Sequence, residues 1–314
     1  MEVTETSQTA KIQARAVEKL LSYSALAIEA GWGLRLLNAY LSELTLLESN
    51  VPYAALGISE RRHASRAVQV ISPDGAIISD PYLIRNEGLT PAGSIAVLQL
   101  QGVMSSVDDI STDGTPALAQ KLRAAYANRN IEAVILETNS GGGEVTAMQI
   151  LVTALEERNK PVIGWGHFAA SAAYGTLAAT DEIIASNKMA EFGSVGAVIS
   201  LDKRFIEFYR ENVLSFYGKD APMKNKEWRE LLAGNSAPMQ VAADEVTENF
   251  QKQVSSQRAL TGGQAYQRAT LSGDMFGAVE ARRRGLIDGI GNMNYAIARA
   301  EAWAAKMNKK RKRA

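Results

Sequence analysis

The stretch from Pro161 to Ala179, PVIGWGHFAASAAYGTLAA, constrains the fold of this chain more than any other. It opens as a buried strand, with Pro161 as a starter and Val162 and Ile163 leading into Gly164-Trp165-Gly166. It ends as a helix of small residues, Ala172 to Ala179, and Ser171 stands at the junction between alanines at 169, 170, 172 and 173. A serine there puts its hydroxyl into a cleft while the first N–H groups of the helix converge beside it. The flanking methyl groups leave room for a substrate backbone. Serine is also a favoured helix cap, so the two readings are separated by what else the chain brings to the same place.

A βαβα alternation surrounds this stretch. Strands are expected over Ser94–Leu100, Ile131–Glu137, 161–166 and Glu182–Ala185. Helices are expected over Thr115–Ala127, Glu144–Arg158 and 172–179, with Gln101–Met104 as a turn into a loop. Such alternation signals an α/β fold with a parallel sheet and right-handed helical crossovers. Further along, Val213–Tyr217 reads as a strand, Ala237–Leu260 as a long helix, Arg268–Leu271 and 273–276 as extended, and Ala278–Arg284 as a helix. A final helix runs to about Lys306.

Before the alternation, residues 11–48 carry apolar positions at helical spacing (Ala16, Leu20, Tyr23, Ala27, then Leu34, Leu37, Leu41, Leu44), broken by Gly31 and Gly33 into a helical hairpin. Its stripe must be buried against the main domain or another subunit. The expected division is an N-terminal helical extension at 1–60, a linker and edge of the main fold at 61–93, the main domain at 94–295, and a C-terminal helix and basic tail at 296–314.

Composition removes several classes of chemistry. Cysteine is absent, which excludes disulfides, thiolate metal sites and a cysteine nucleophile. With His63 and His167 as the two histidines, a multi-histidine metal site is nearly excluded. Lys+Arg and Asp+Glu both total 34, so no global field draws in nucleic acid or membrane. No signal peptide or membrane span is read in the sequence, and the expected compartment is a cytosol. No metal or other cofactor is expected.

Two glycine-lined segments flank Ser171 in sequence. Gly141-Gly142-Gly143 follows a buried strand and opens a helix, presenting unhindered N–H groups for a phosphate or an oxyanion. It is neither a P-loop nor a dinucleotide fingerprint, and a plain tight turn is its structural alternative. Gly193-Ser194-Val195-Gly196 comes later. Two such segments beside a serine, all at strand ends of one sheet, suggest an acyl-transfer site. His167, four residues before Ser171, has to be weighed as a partner for it, against a packed or exposed histidine.

Four segments in order resemble the S49 signal-peptide-peptidase-like serine peptidases of the ClpP/crotonase fold. They are TNSGGGEV at 138–145, AASAAYGTLAATDEIIA at 169–185, FGSVGAVIS at 192–200 and SGDMFGAVEARRRGLIDGIG at 272–291. The resemblance spans about residues 94–295 and implies repeated β-β-α units with a parallel sheet. It implies Ser171 as nucleophile, oxyanion donors from the N–H of Gly142 or Gly143 and of Ala172, and a lysine base from a neighbouring strand or subunit. The family's lysine sits three residues after a glycine; counted from Gly218 in YGKDAPMKN, that position is Ala221. Lys219 and Lys224 are close but out of register, each a base or a solvated surface charge.

The resemblance implies a soluble serine–lysine endopeptidase similar to the head-maturation (prohead) peptidases of tailed phages. It would be a homo-oligomer, ring or dome, acting on a capsid or scaffold protein. Ala221 makes an inactive chain, or a non-catalytic assembly member of the same fold, the alternative. A crotonase-like acyl-CoA enzyme shares the paired-glycine site but leaves the Ser171 elbow unexplained.

Overall fold

A parallel sheet covered on both faces needs strands that run apolar throughout, and four segments of this chain do so. The computed structural model describes residues 26–28, 68–107, 114–201 and 203–311. In chain order the strands are β1 (Leu26–Ile28), β2 (Val68–Ile71), β3 (Ile77–Asp80), β4 (Ser94–Met104), β5 (Ile131–Glu144), β6 (Val162–Ala170), β7 (Glu182–Ala185), β8 (Glu191–Gly193), β9 (Met275–Gly277) and β10 (Gly289–Ile290). The helices are α1 (Thr115–Ala127), α2 (Val145–Glu156), α3 (Ala172–Ala178), α4 (Lys203–Asn212), α5 (Lys226–Leu232), α6 (Ala237–Gln257), α7 (Gln264–Thr270), α8 (Ala278–Arg283) and α9 (Met293–Arg311).

The sheet runs β10-β7-β6-β5-β4-β2-β3, with β1 and β8 joining at strand ends. From β4 to β10 the pairs along this path are parallel, while β2 and β3 form an antiparallel edge. The α/β class and the parallel sheet with helical crossovers are therefore as expected. Because side chains alternate between faces, Leu136 points to one side and Ile135 to the other. Leu98 and Leu136 share a core with Leu122 of α1, Leu151 of α2 and Tyr174 of α3. Ile95, Ile135, Ile163 and Trp165 meet Ala296 and Ala300 of α9 on the opposite face. Fully burying one such side chain is worth roughly 1.5–3 kcal/mol, so both faces hold the strands in register. No helix among the described residues is long and apolar enough to cross a membrane.

The small residues of α3 exist for packing. All seven of its residues are buried, and a Cβ on Gly175 would come within 2.3 Å of Met148 Sδ and 2.6 Å of Phe250 Cε2. The helix thus slides between α2 and α6 closely enough to set Ser171 at the end of β6. Ala169, Ala170, Ala172 and Ala173 are each 0% exposed. Their methyl groups fill the core rather than clear a path for substrate, which corrects that expectation.

Other differences have identifiable causes. Gln101–Met104 and Thr138–Gly143, expected as turns, continue β4 and β5, because each supplies the other's ladder through Met104↔Gly143. Arg268–Leu271 is mostly helical, inside α7. Val213–Tyr217 joins no strand, and Leu214 and Phe216 are 86% and 92% exposed. Its alternating apolar pattern has no strand beside it among the described residues. Within the expected helical hairpin of 11–48, Leu26–Ile28 is a strand paired with β5. The rest of that hairpin lies outside the described residues, as does His63.

Candidate active site

Strand β6 ends at Ala170 and α3 begins at Ala172, so Ser171 has to make the whole turn between them. It does so at φ 55°, ψ −124°. Such a backbone costs a non-glycine residue about 1–3 kcal/mol and persists only where the surroundings over-determine it. Here the Ser171 N–H donates to Gly193 O at 2.8 Å, and its carbonyl accepts the Gly175 N–H at 2.9 Å. The side chain makes no capping hydrogen bond to α3. Instead Oγ donates to Gly196 O at a long 3.4 Å. The helix-cap reading thus fails: the hydroxyl is turned away from the helix it precedes.

That hydroxyl sits on a cleft of about 430 Å³, and Ser171 itself is 2% exposed. Ser194, Val195, Gly196, Ala197 and Val198 form one wall; Thr247 and Gln251 of α6, with Ser272, Gly273 and Met275, form the other. The walls are tied together. Ser194, itself at φ 54°, donates its N–H to Asp274 O at 2.7 Å. The Ala197 N–H reaches Thr247 Oγ1 at 3.1 Å, and Gln251 Nε2 reaches Leu271 O at 2.8 Å. Sequence reasoning missed Thr247, Gln251, Ser272 and Met275. They reach the cleft from α6 and the α7–β9 turn, and no local pattern marks a residue that becomes a wall only through packing. No charged side chain is among the described residues that line the cleft, and the Ser171 hydroxyl rests against the Gly196 carbonyl, which cannot take its proton.

The glycine run is a strand tip rather than a turn. Ser140 pairs with Ala169 in the parallel β5–β6 register, so the segments after both residues emerge at the same end of neighbouring strands. Gly142 has φ 92° and donates its N–H to Ser140 Oγ at 3.1 Å, which in turn donates to Gly102 O at 2.5 Å. At Gly143 a Cβ would lie 2.1 Å from Met104 O. A glycine is required there because β4 passes against it, a structural demand that stands whether or not the N–H also serves chemistry. Ala172 is the first residue of α3, buried directly after Ser171.

The lysine candidates lie elsewhere. Residues 218–226 form successive turns, with the Ala221 N–H bonded to Gly218 O and the Lys224 N–H to Ala221 O. Lys219 and Lys224 are exposed, Ala221 is half-buried, and none of the three lines the cleft. His167 is engaged on the α9 face: Nε2 lies 3.3 Å from Glu137 Oε1, and its ring meets Trp165 edge-on at 4.5 Å.

Other residues of the motif segments hold the frame. Tyr174 is fully buried with its hydroxyl donating to Leu286 O at 2.9 Å, and burial pushes its phenol up. Asp181 accepts the Val162 N–H at 2.8 Å and Arg158 Nε at 3.1 Å; Asp288 accepts the Ile183 N–H at 2.7 Å. These bonds pin the N-terminal ends of β6 and β7, the ends away from Ser171.

Residues 154–308 match the model of Peptidase family S49. The chain is 27% identical over 230 residues to the chloroplastic serine protease SPPA of Arabidopsis thaliana, covering 69% of this chain and 33% of that protein. It is 30% identical over 242 residues to Protease 4 of Haemophilus influenzae, covering 71% and 37%. The chain therefore spans about a third of the length of these relatives. A solved enoyl-CoA hydratase/carnithine racemase from Magnetospirillum magneticum aligns with TM-score 0.40 at 15% identity, over 69% of this chain and 72% of that one, too distant a likeness to argue from. The family match begins near the end of α2, runs through Ser171 and every residue lining the cleft, and ends within α9, so the chain belongs to peptidase family S49 through the half that carries its site.

Proposed function

We propose that this protein is a serine peptidase of the S49 type with Ser171 as its nucleophile. The observation that carries the reading is the strained backbone of Ser171, held by Gly193 and Gly175 with its hydroxyl on the cleft and free of any capping duty. In the reaction Oγ attacks a peptide carbonyl and its proton passes to a base. The oxyanion is met by backbone N–H groups, for which Ala172 and Gly142 or Gly143 are the candidates. The intermediate collapses with cleavage of the C–N bond, the amine leaves with the proton the base took up, and water then hydrolyses the acyl-enzyme. For Gly142 to serve, its N–H must give up the bond to Ser140 Oγ. The uncharged lining supports a substrate whose side chain in the cleft is itself uncharged.

The base is proposed to be a lysine amine, kept neutral by burial when it is docked against Ser171. In the chain as written that position is Ala221, and we expect slow or absent turnover. Lys219 or Lys224, brought in by a change of the 213–226 segment or by a second copy, is the rival source. A capsid or scaffold protein as substrate, and assembly into a ring or dome, rest on the resemblance to head-maturation peptidases alone. The exposed lysines and Ala221 favour one second reading, a non-catalytic assembly member of the same family.

The test is fluorophosphonate labelling of the chain beside its Ala221→Lys and Ser171→Ala versions. Labelling of Ala221→Lys that vanishes on adding Ser171→Ala is expected. Absence of labelling at Ser171 in every version would overturn the peptidase reading in favour of the assembly role.

A further inference from the structure

A strand has two edges, and at the tip of β5 both are occupied. Val103 and Met104 of β4 pair with Gly142 and Gly143 on one edge. The other edge belongs to β6 as far as the Ser140–Ala169 pair; β6 then ends at Ala170 and the chain turns through Ser171 into α3. Beyond that point the vacated edge carries β1, antiparallel, with Ile28 beside Gly142, Ala27 beside Gly143 and Leu26 beside Glu144. Since β4 holds one edge of these glycines, β1 must lie on the β6 edge, past the place where β6 gives way to Ser171. A piece of the chain's own backbone therefore runs along the glycine strand on the side of the serine.

Extended peptides add to open sheet edges through main-chain hydrogen bonds, with side-chain pockets supplying specificity. The glycine tip offers main chain and no side chains, so it reads backbone. We propose that the β6-side edge of β5 at Gly142–Glu144 is a docking edge for an extended peptide, and that Leu26–Ile28 is its resident competitor, shutting that edge until it is displaced. The peptide's role as substrate rests on the peptidase reading; the occupancy does not. Three residues make a short strand, and so small a pairing is marginal by itself. The occupant is thus reversible, and an incoming peptide binds with an apparent affinity reduced by the fraction of molecules whose edge is free.

The test uses the full chain carrying Ser171→Ala, with and without Ala27→Pro, since proline removes a ladder N–H and disfavours strand pairing. Hydrogen exchange over residues 141–144 reports the docking. Anisotropy of a fluorescein-labelled ten-residue peptide of Ala, Val and Thr reports the edge. Faster exchange at Gly142–Glu144 and roughly 3–10-fold tighter peptide binding in the Ala27→Pro chain are expected, the scale of freeing an edge occupied most of the time. A synthetic peptide of residues 24–30, SALAIEA, should displace the labelled peptide from that chain, which also guards against a merely misfolded variant. Unchanged exchange, or faster exchange with unchanged or weaker peptide binding, would overturn the proposal. Failure of Ser171 to label with fluorophosphonate in a chain that carries Ala221→Lys and keeps Ser171 would sink the peptidase reading while leaving these binding results intact.

Discussion

The backbone N–H of Ser171 donates to the carbonyl oxygen of Gly193 at 2.8 Å, tying the end of β6 to the end of β8. On the far side of that bond Ser194 repeats the device, at φ 54° with its N–H on Asp274 O. The position of the candidate nucleophile is therefore fixed by β8 and the segment before β9 as well as by the two elements it joins. The first consequence concerns strain.

Ser171→Gly should stabilise the protein while removing its reactivity. Glycine accepts φ 55° without the penalty of about 1–3 kcal/mol that a Cβ brings. The extra freedom it gives the unfolded chain offsets about 0.4–1 kcal/mol of that, so unfolding free energy should rise by about 1 kcal/mol. Chemical denaturation checks the stability and fluorophosphonate labelling the reactivity. A less stable Ser171→Gly protein would mean that the serine side chain holds the turn, and that it is not strained.

Substituting Gly143 should damage the fold before it damages chemistry. A Cβ there meets Met104 O at 2.1 Å, so Gly143→Ala must part the tips of β4 and β5. We expect a loss of about 1–3 kcal/mol, the range for forced overpacking, seen as a lower denaturation midpoint. An unchanged midpoint with turnover reduced roughly 10²-fold would instead make the oxyanion role dominant.

The lysine question has a direct readout in hydrolysis of a fluorogenic peptide. Ala221→Lys should raise the rate from near background, and the gain should grow with pH as the amine loses its proton. Lys219→Met and Lys224→Met in the chain as written should change nothing. Activity already present, and lost on changing one of those two lysines, would identify that lysine as the base.

Glu182 anchors α9 to β7 and should prove costly to remove. Its carboxylate, 7% exposed, accepts Arg299 Nη2 at 2.8 Å and Trp303 Nε1 at 2.7 Å. Glu182→Ala leaves both donors without their acceptor; the Arg299 side chain, 39% exposed, can turn to water, so the loss should be about 1–3 kcal/mol. Thermal unfolding should shift down accordingly, with faster amide exchange along α9. A shift no larger than that of a surface substitution would show that the Ala296 and Ala300 packing suffices.

Lys160 predicts a rise of stability with pH. Burial, helped by Arg311, pushes its amine down from 10.5 to about 8, although it donates to the carbonyls of Ala125 and Asn128. Between pH 8 and 10.5 the unfolded chain then binds more protons at this site than the folded one. Stability from this group is therefore present above the unfolded value and lost as pH falls through the folded one. Comparing denaturation midpoints of the protein and of Lys160→Met across that window isolates the slope; equal slopes would refute the shift.

What the sequence determined by itself is the part built from local pattern. Continuous apolar runs at Ser94, Ile131 and Val162, each followed by a helical period, with a fourth run at Glu182, specify parallel strands with crossovers. Ser171 stands out because a polar residue interrupts a strand–helix junction of small ones. Tertiary structure alone decided the rest. The glycines at 141–143 are a strand tip because β4 supplies a partner that no local rule reveals. Val213–Tyr217, strand-like in pattern, pairs with no strand among the described residues. Thr247, Gln251 and Met275 become cleft walls, and Leu26–Ile28 becomes a strand, only where distant segments meet. Periodicity reports which face of an element is buried; which neighbour buries it, and which backbone edge is left open, depends on contacts the chain makes only once it has folded.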